Sequence, residues 1–232
     1  MGIINVTPDS FFGDGILGSK KLLEERFLKA KEMNLGFLDI GCMSTKPNFK
    51  TLGKSDELDR LDFFLNNMSN EFTYSIDSST LEVVDKAIDS GFSVINDVSG
   101  FQNQEIINKA IDSRCGIILV HRHPMSDNIH EKMDYQDIVA EVKYQIDNQI
   151  SELMSLGINE SQIAIDPALG FGKKLEDSAM LLMQIEKLVG SFPVVIGYSN
   201  KKFTSSPSLS KTNLLNHSYN SGVSLIRLHI DK

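Results

Sequence analysis

MGIINVTPDSFFGDG, residues Met1 to Gly15, is the stretch from which the fold is read. An apolar run (Gly2, Ile3, Ile4) stops at Asn5 and gives way to Thr7, Pro8, Asp9 and Ser10, as when a buried strand surfaces into a polar loop. If that pattern recurs, the polar ends are where chemistry collects. It does recur.

Lys20 to Met33 has Leu23, Phe27 and Ala30 on one helical face, and Phe37–Ile40 follows as a strand ending at Gly41. Asp56–Met68 predicts a helix, Phe72–Ile76 a strand ending at Asp77, and Thr80–Ser90 a helix stopped by Gly91. Phe92–Ile95 runs into Asn96 and Asp97, Gln104–Asp112 is helical, and Gly116–Val120 ends at His121. Tyr135–Leu156 is the longest predicted helix, with Ile138, Val142, Ile146 and Ile150 along one side and Gly157 at its end. Ile163–Ile165 leads to Asp166, Leu175–Leu188 is helical, and Pro193–Ile196 leads to Ser199 and Lys201. A weaker helix, Lys211–Ser221, precedes a final strand, Ser224–Leu228, that carries Arg227 and leads to His229.

Strand and helix alternating in this way imply parallel strands joined by right-handed crossovers. Eight strands favour an α/β fold of the (β/α)8 TIM-barrel kind over an open sheet, and no linker divides residues 1–232, so one domain is expected. Asn5, Asp39, Asp77, Asn96, His121, Asp166, Ser199 with Lys201, and Arg227 with His229 would then converge on the mouth where barrel enzymes keep their active sites.

The bulk numbers narrow the function. With 232 residues the chain can bury a sizeable core. A net charge of -8 argues against a nucleic-acid partner, and no apolar run reaches the ~20 residues of a membrane span. Two cysteines without metal-type spacing, and no export signal, suggest a reducing, cytoplasmic setting.

Asp77 and Asp166, buried near such a mouth, need hydrogen-bond donors or positive charge, which a heterocycle rich in N–H groups supplies; Asn96 can donate and accept. Arg227, His229 and Asn5 form a candidate anion pocket, with the Asn5 carbonyl able to ligate a hard cation. His121 and His123 make an H-x-H pair of the kind metal-dependent barrel hydrolases use, although Pro124 follows at once. Gly170-Phe171-Gly172-Lys173 lacks the spacing of a phosphate-cradling loop and reads as a mobile turn leading away from Asp166.

Seven motifs, in order, give a resemblance that spans nearly the whole chain. They are Asn5-Val6-Thr7-Pro8-Asp9-Ser10-Phe11, Asp39 to Pro47, Ser75-Ile76-Asp77, Ile95 to Gly100, Asp166 to Lys173, Gly197 to Lys201, and Arg227-Leu228-His229. Together they resemble the dihydropteroate synthases. A related pterin-binding methyltransferase fits the first string less well.

The resemblance implies an enzyme that joins p-aminobenzoate to 6-hydroxymethyl-7,8-dihydropterin diphosphate and releases diphosphate, with Mg2+ as cofactor. By carry-over, Asp77, Asn96, Asp166 and Lys201 hold the pterin. Asn5, Arg227 and His229 hold the diphosphate, with Asn5 also toward the metal, and Thr45, Lys46, Pro47, Phe171 and Ser199 surround the p-aminobenzoate. Asp77, Asp166, Lys201 and Arg227 are the expected catalytic set.

The departures from the family pattern lie at Lys46, which keeps the charge of the usual Arg but not its planar grip, at Met43, at Asn200, and in the first loop, where an Asp is displaced by one. They motivate an alternative, a noncatalytic pterin-binding paralogue. The chain opens on its first strand and stops three residues after His229, so the expectation is a barrel without its final helix, the helix that in the family contributes to a homodimer.

Overall fold

Apolar residues two apart on short strands, alternating with apolar stripes three and four apart on helices, leave this chain few ways to bury its hydrophobic surface other than as strands backed by helices. In a computed structural model of the chain, the described residues are 1–7, 16–43, 53–126, 130–199 and 211–230. Along them run β1 (Gly2–Asn5), α1 (Lys20–Glu32), β2 (Phe37–Gly41), α2 (Lys54–Leu65), β3 (Thr73–Asp77), α3 (Leu81–Asp89), β4 (Val94–Asp97), α4 (Gln104–Ser113) and β5 (Gly116–Val120). Then follow α5 (Ile138–Leu156), β6 (Ile163–Asp166), α6 (Leu175–Met183), β7 (Val195–Ile196), α7 (Lys211–Asn220), β8 (Leu225–Ile226) and β9 (Leu228–His229). The chain divides into two compact units.

The first unit comprises Met1–Asn96, Asn103–Cys115 and Leu228–Lys232. Its strands are all parallel: β9 pairs with β1, β1 with β2, β2 with β3, and β3 with β4. The register sets Asn5 against Gly41, Gly41 against Asp77, and Asp77 against Asn96. Partnered residues on parallel strands share a face, so this register lines polar side chains along one row.

Behind these strands, Phe27, Phe64, Phe72, Tyr74 and Phe92 form an aromatic cluster. Ring centroids lie 5.5 Å apart for Phe27–Phe72, 5.4 Å for Phe64–Tyr74 and 5.3 Å for Tyr74–Phe92. Phe64, on α2, is fully buried and touches three of the other rings. Both cysteines, Cys42 and Cys115, are buried free thiols.

The second unit comprises Asp97–Gln102 and Gly116–Arg227. Here β5 pairs with β6, setting Val120 against Asp166, and β7 pairs with β8. Ile165 bridges Val194, and the Arg227 N–H donates to Ile196 O at 2.8 Å. The apolar stripe Ile138, Val142, Ile146 and Ile150 of α5 is buried as its spacing requires.

Element boundaries differ from the sequence expectation where local chemistry intervenes. The longest helix starts at Ile138 rather than Tyr135, because the Asp137 carboxylate accepts the N–H groups of Val139 and Ala140 and so caps it. It ends at Gly157, whose φ of +114° favours glycine. The helix expected to run to Leu188 stops at Met183 and gives way to a 3-10 turn, Ile185–Lys187. The last strand, expected in one piece, is split: β8 pairs with β7, Arg227 intervenes, and β9 pairs with β1. No helix among the described residues is long and apolar enough to cross a membrane.

Truncating Phe64 to Ala should remove the hub of the aromatic cluster and destabilise the protein by about 3–5 kcal/mol. Urea unfolding should show this as a lower midpoint at unchanged slope.

Candidate active site

In the first unit the row Asn5, Gly41, Asp77 and Asn96 sits at or next to the strands' C-terminal ends. Asn5 closes β1 and Asp77 closes β3, both partly exposed, while Asn96 is fully buried. Gly41 matters by what it lacks. A Cβ there would lie 3.0 Å from Asn5 Oδ1, so glycine lets the Asn5 side chain lie close against β2.

Asp39 was expected among the strand-end groups. It is the third residue of a five-residue strand and fully buried, because β2 continues to Gly41. From there its Oδ2 accepts a hydrogen bond from Asn96 Nδ2 at 3.1 Å. A carboxylate only accepts, so the amide nitrogen must face Asp39 and the amide oxygen must face away. That oxygen, Asn96 Oδ1, is buried and meets no donor among the described residues. An unsatisfied buried acceptor costs on the order of 1–3 kcal/mol, which a ligand N–H would recover. The buried hydroxyls of Thr7 and Ser75 likewise meet no partner among the described residues; both lie in the motifs read from the sequence, and neither was given a site role there. His229, on β9, is set against Ile3 of β1 and is partly exposed.

In the second unit Asp166 closes β6 and is buried. Its Oδ1 accepts the Ala168 N–H at 2.7 Å, and its Oδ2 lies 4.0 Å from Arg227 Nη1. The sequence assigned Asp166 to a heterocycle and Arg227 to an anion pocket; the structure sets this acid beside this cation. Ser199 and Phe171 are partly exposed, Ser199 in the turn after β7. Phe171 lines a small cavity with Val98, Val120, Tyr135 and Ala168, and its ring lies 5.9 Å from that of His130.

The Gly170–Lys173 segment does not lead away as expected. Ala168, Gly170 and Gly172 all take positive φ, and the chain folds back so that Lys173 is buried. Its ammonium lies 3.0 Å from His121 Nδ1 and donates to Ala168 O and Phe171 O. An ammonium only donates, so His121 Nδ1 accepts; Nε2 then carries the proton and donates to Gln145 Oε1 at 2.7 Å. Burial, and then the Lys173 charge, push the His121 pKa well below its ordinary 6.5 and keep the ring neutral. With both ring nitrogens engaged, and His123 Nδ1 accepting from the Met125 N–H, the H-x-H pair offers no metal site. The hydrolase reading has no site among the described residues.

The sequence profile of the pterin-binding enzymes matches residues 1–229. The chain belongs to the pterin-binding enzyme family.

Among curated members, the dihydropteroate synthase of Synechocystis sp. is 33% identical over 210 residues, spanning 88% of this chain and 72% of that protein. The Bacillus subtilis dihydropteroate synthase is 30% identical over 210 residues, spanning 88% and 70%. A solved Xanthomonas albilineans dihydropteroate synthase with 4-aminobenzoic acid superimposes with a TM-score of 0.85 at 28% identity, covering 98% of this chain and 86% of that one. The fold class shared with it is the barrel-like α/β class of these pterin-binding enzymes.

Of the residues singled out by family resemblance, Asn5, Asp77, Asn96 and His229 lie in the first unit, and Asp166, Phe171, Ser199 and Arg227 in the second. Thr45, Lys46, Pro47 and Lys201 lie outside the described residues, as do Asn200 and the first loop from Pro8 to Gly15.

Neutral His121 carries a pH signature. Below about pH 6.5 the unfolded chain takes up a proton at this imidazole and the folded one does not. Stability present above pH 6.5 is therefore lost as pH falls, by up to about 1.4 kcal/mol per unit. Denaturation between pH 7 and 5 should show a shallower loss in His121→Gln, whose amide oxygen can still accept from Lys173; equal slopes would contradict the assignment.

Proposed function

We propose that this chain is a dihydropteroate synthase, joining p-aminobenzoate to 6-hydroxymethyl-7,8-dihydropterin diphosphate in folate synthesis. The observation that carries the reading is Asn96, a fully buried amide turned by Asp39 so that its oxygen awaits a donor. A pterin edge, flat and rich in N–H groups, supplies such donors. The reading includes one (β/α)8 barrel domain over residues 1–232, with its site at the C-terminal ends of the strands.

In this reading Asp77, Asn96, Asp166 and Lys201 hold the pterin. Asn5, Arg227 and His229 hold the diphosphate, and Thr45, Lys46, Pro47, Phe171 and Ser199 enclose the p-aminobenzoate. Arg227, 4.0 Å from the Asp166 carboxylate, would serve both that acid and the diphosphate.

Magnesium fits the residues present. The Asn5 side-chain carbonyl, which a Cβ at position 41 would crowd at 3.0 Å, is an oxygen of the kind a hard cation takes. The ion would be carried mainly by diphosphate and water. When bound, it would neutralise charge that builds on the leaving oxygens.

The reaction needs no covalent enzyme intermediate. The methylene C–O bond breaks and its electron pair leaves with the diphosphate, whose charge Arg227 and His229 offset. Positive charge on the pterin methylene is stabilised by the carboxylates of Asp77 and Asp166. The arylamine lone pair forms the new C–N bond, and the amine releases its proton to solvent.

Diphosphate release that depends on p-aminobenzoate tests the proposal. Pterin binding without release would favour instead the noncatalytic paralogue suggested by Met43, Lys46 and Asn200. Asp166→Ala and Arg227→Ala should each lower turnover by about 100-fold or more, read by the same assay. Rates within tenfold of the parent in either variant would count against pterin binding by Asp166 and diphosphate binding by Arg227.

A further inference from the structure

We propose that Glu57 is a positioning residue for the pterin, acting through the Asp77 turn. This rests on the dihydropteroate synthase reading. Glu57 lies in the first turn of α2, among residues (Lys54, Ser55, Asp56) whose composition marks an exposed helix start, yet it is fully buried.

Both carboxylate oxygens are used. Oε1 accepts the Ser78 hydroxyl at 2.7 Å and Oε2 accepts the Thr80 hydroxyl at 2.6 Å, lengths typical of charge-assisted hydrogen bonds. Ser78 directly follows Asp77. Its N–H donates to Asn96 O at 3.2 Å, and its Oγ in turn accepts the Thr80 N–H at 3.1 Å. Thr80 stands at the N-cap position of α3 but makes no side-chain cap, because its hydroxyl goes to Glu57.

Asp77 is thereby fixed from both directions. The β2–β3–β4 register holds it from behind, and the Glu57 carboxylate holds the turn in front. One helical turn further along α2, buried Arg60 donates from Nη1 to Cys42 O at 2.9 Å and ties down the end of β2, beside the Gly41 that flanks Asn5. The buried Cys42 thiol feels Glu57, Arg60 and Asp77 together, which places the three charges in one neighbourhood. A burial this complete is more than helix stability asks of a first-turn acid, which acts on the helix dipole equally well from the surface.

The test uses the full chain and two partial deletions of the strut, Glu57→Gln and Ser78→Ala, with their double variant. Each single variant should raise KM for the dihydropterin diphosphate about 5–20-fold. KM for p-aminobenzoate should stay within about twofold and the thermal midpoint within a few degrees. The double variant should fall short of the sum of the two singles, because both changes act on the Glu57–Ser78 contact. Parallel shifts in both KM values, additive effects, or unchanged kinetics in a folded protein would overturn the proposal. If the parent chain binds pterin diphosphate without turnover, the enzyme reading fails. The strut is then tested by equilibrium binding of the same compound, with the same 5–20-fold weakening expected.

Discussion

The hydrogen bond from Asn96 to Asp39 sets the terms for the rest of the site. A carboxylate in the middle of a parallel strand can be buried only if something donates to it, and here the donor is an amide whose other end is thereby aimed elsewhere. The β1–β2–β3–β4 register then decides what stands beside that amide: Asp77 on the neighbouring strand, and beyond the side-chain-free Gly41, Asn5. Recognition is built from backbone register first and from side-chain chemistry second. Shifting one strand by one residue would turn its polar group to the opposite face.

The second unit uses charge where the first uses neutral polarity. Asp166 and Arg227 sit together under cover, held through the Ala168 N–H on one side and the β8 end on the other. Beside them a buried lysine folds the loop after β6 back onto neutral His121. In a chain of net charge -8, cations buried this deeply serve particular contacts. Lys173 has three named acceptors in the segments that follow β5 and β6, and Arg227 has the Asp166 carboxylate 4.0 Å away at the end of β6.

Much of this is legible in the sequence. The alternation of short apolar runs with helical stripes shows in spacing alone, and Asn5, Asp77, Asn96 and Asp166 stand out because polar residues interrupt apolar runs where strands must end. Asp39 is misplaced by such a reading because a run that continues through Ile40 and Gly41 gives no local sign of where its polar member faces. The buried roles of Lys173 and Glu57 are not legible either. His121 lies 52 residues from Lys173, and the hydroxyls that hold Glu57 lie 21–23 residues away, so these burials depend on partners distant in sequence. The start of α5 turns on Asp137, a cap that outcompetes the apolar pattern extending back to Tyr135.

The central claim is that a donor-seeking buried amide, with its acids, reads the N–H edge of a pterin. Calorimetric titration compares 6-hydroxymethyl-7,8-dihydropterin with its analogue in which hydrogen replaces the exocyclic amino group, so that the ring shape is kept and the exocyclic donors are lost. The account predicts that the analogue binds at least about 100-fold more weakly, since the buried acceptors are left unpaired. Equal affinity for the two compounds would contradict it.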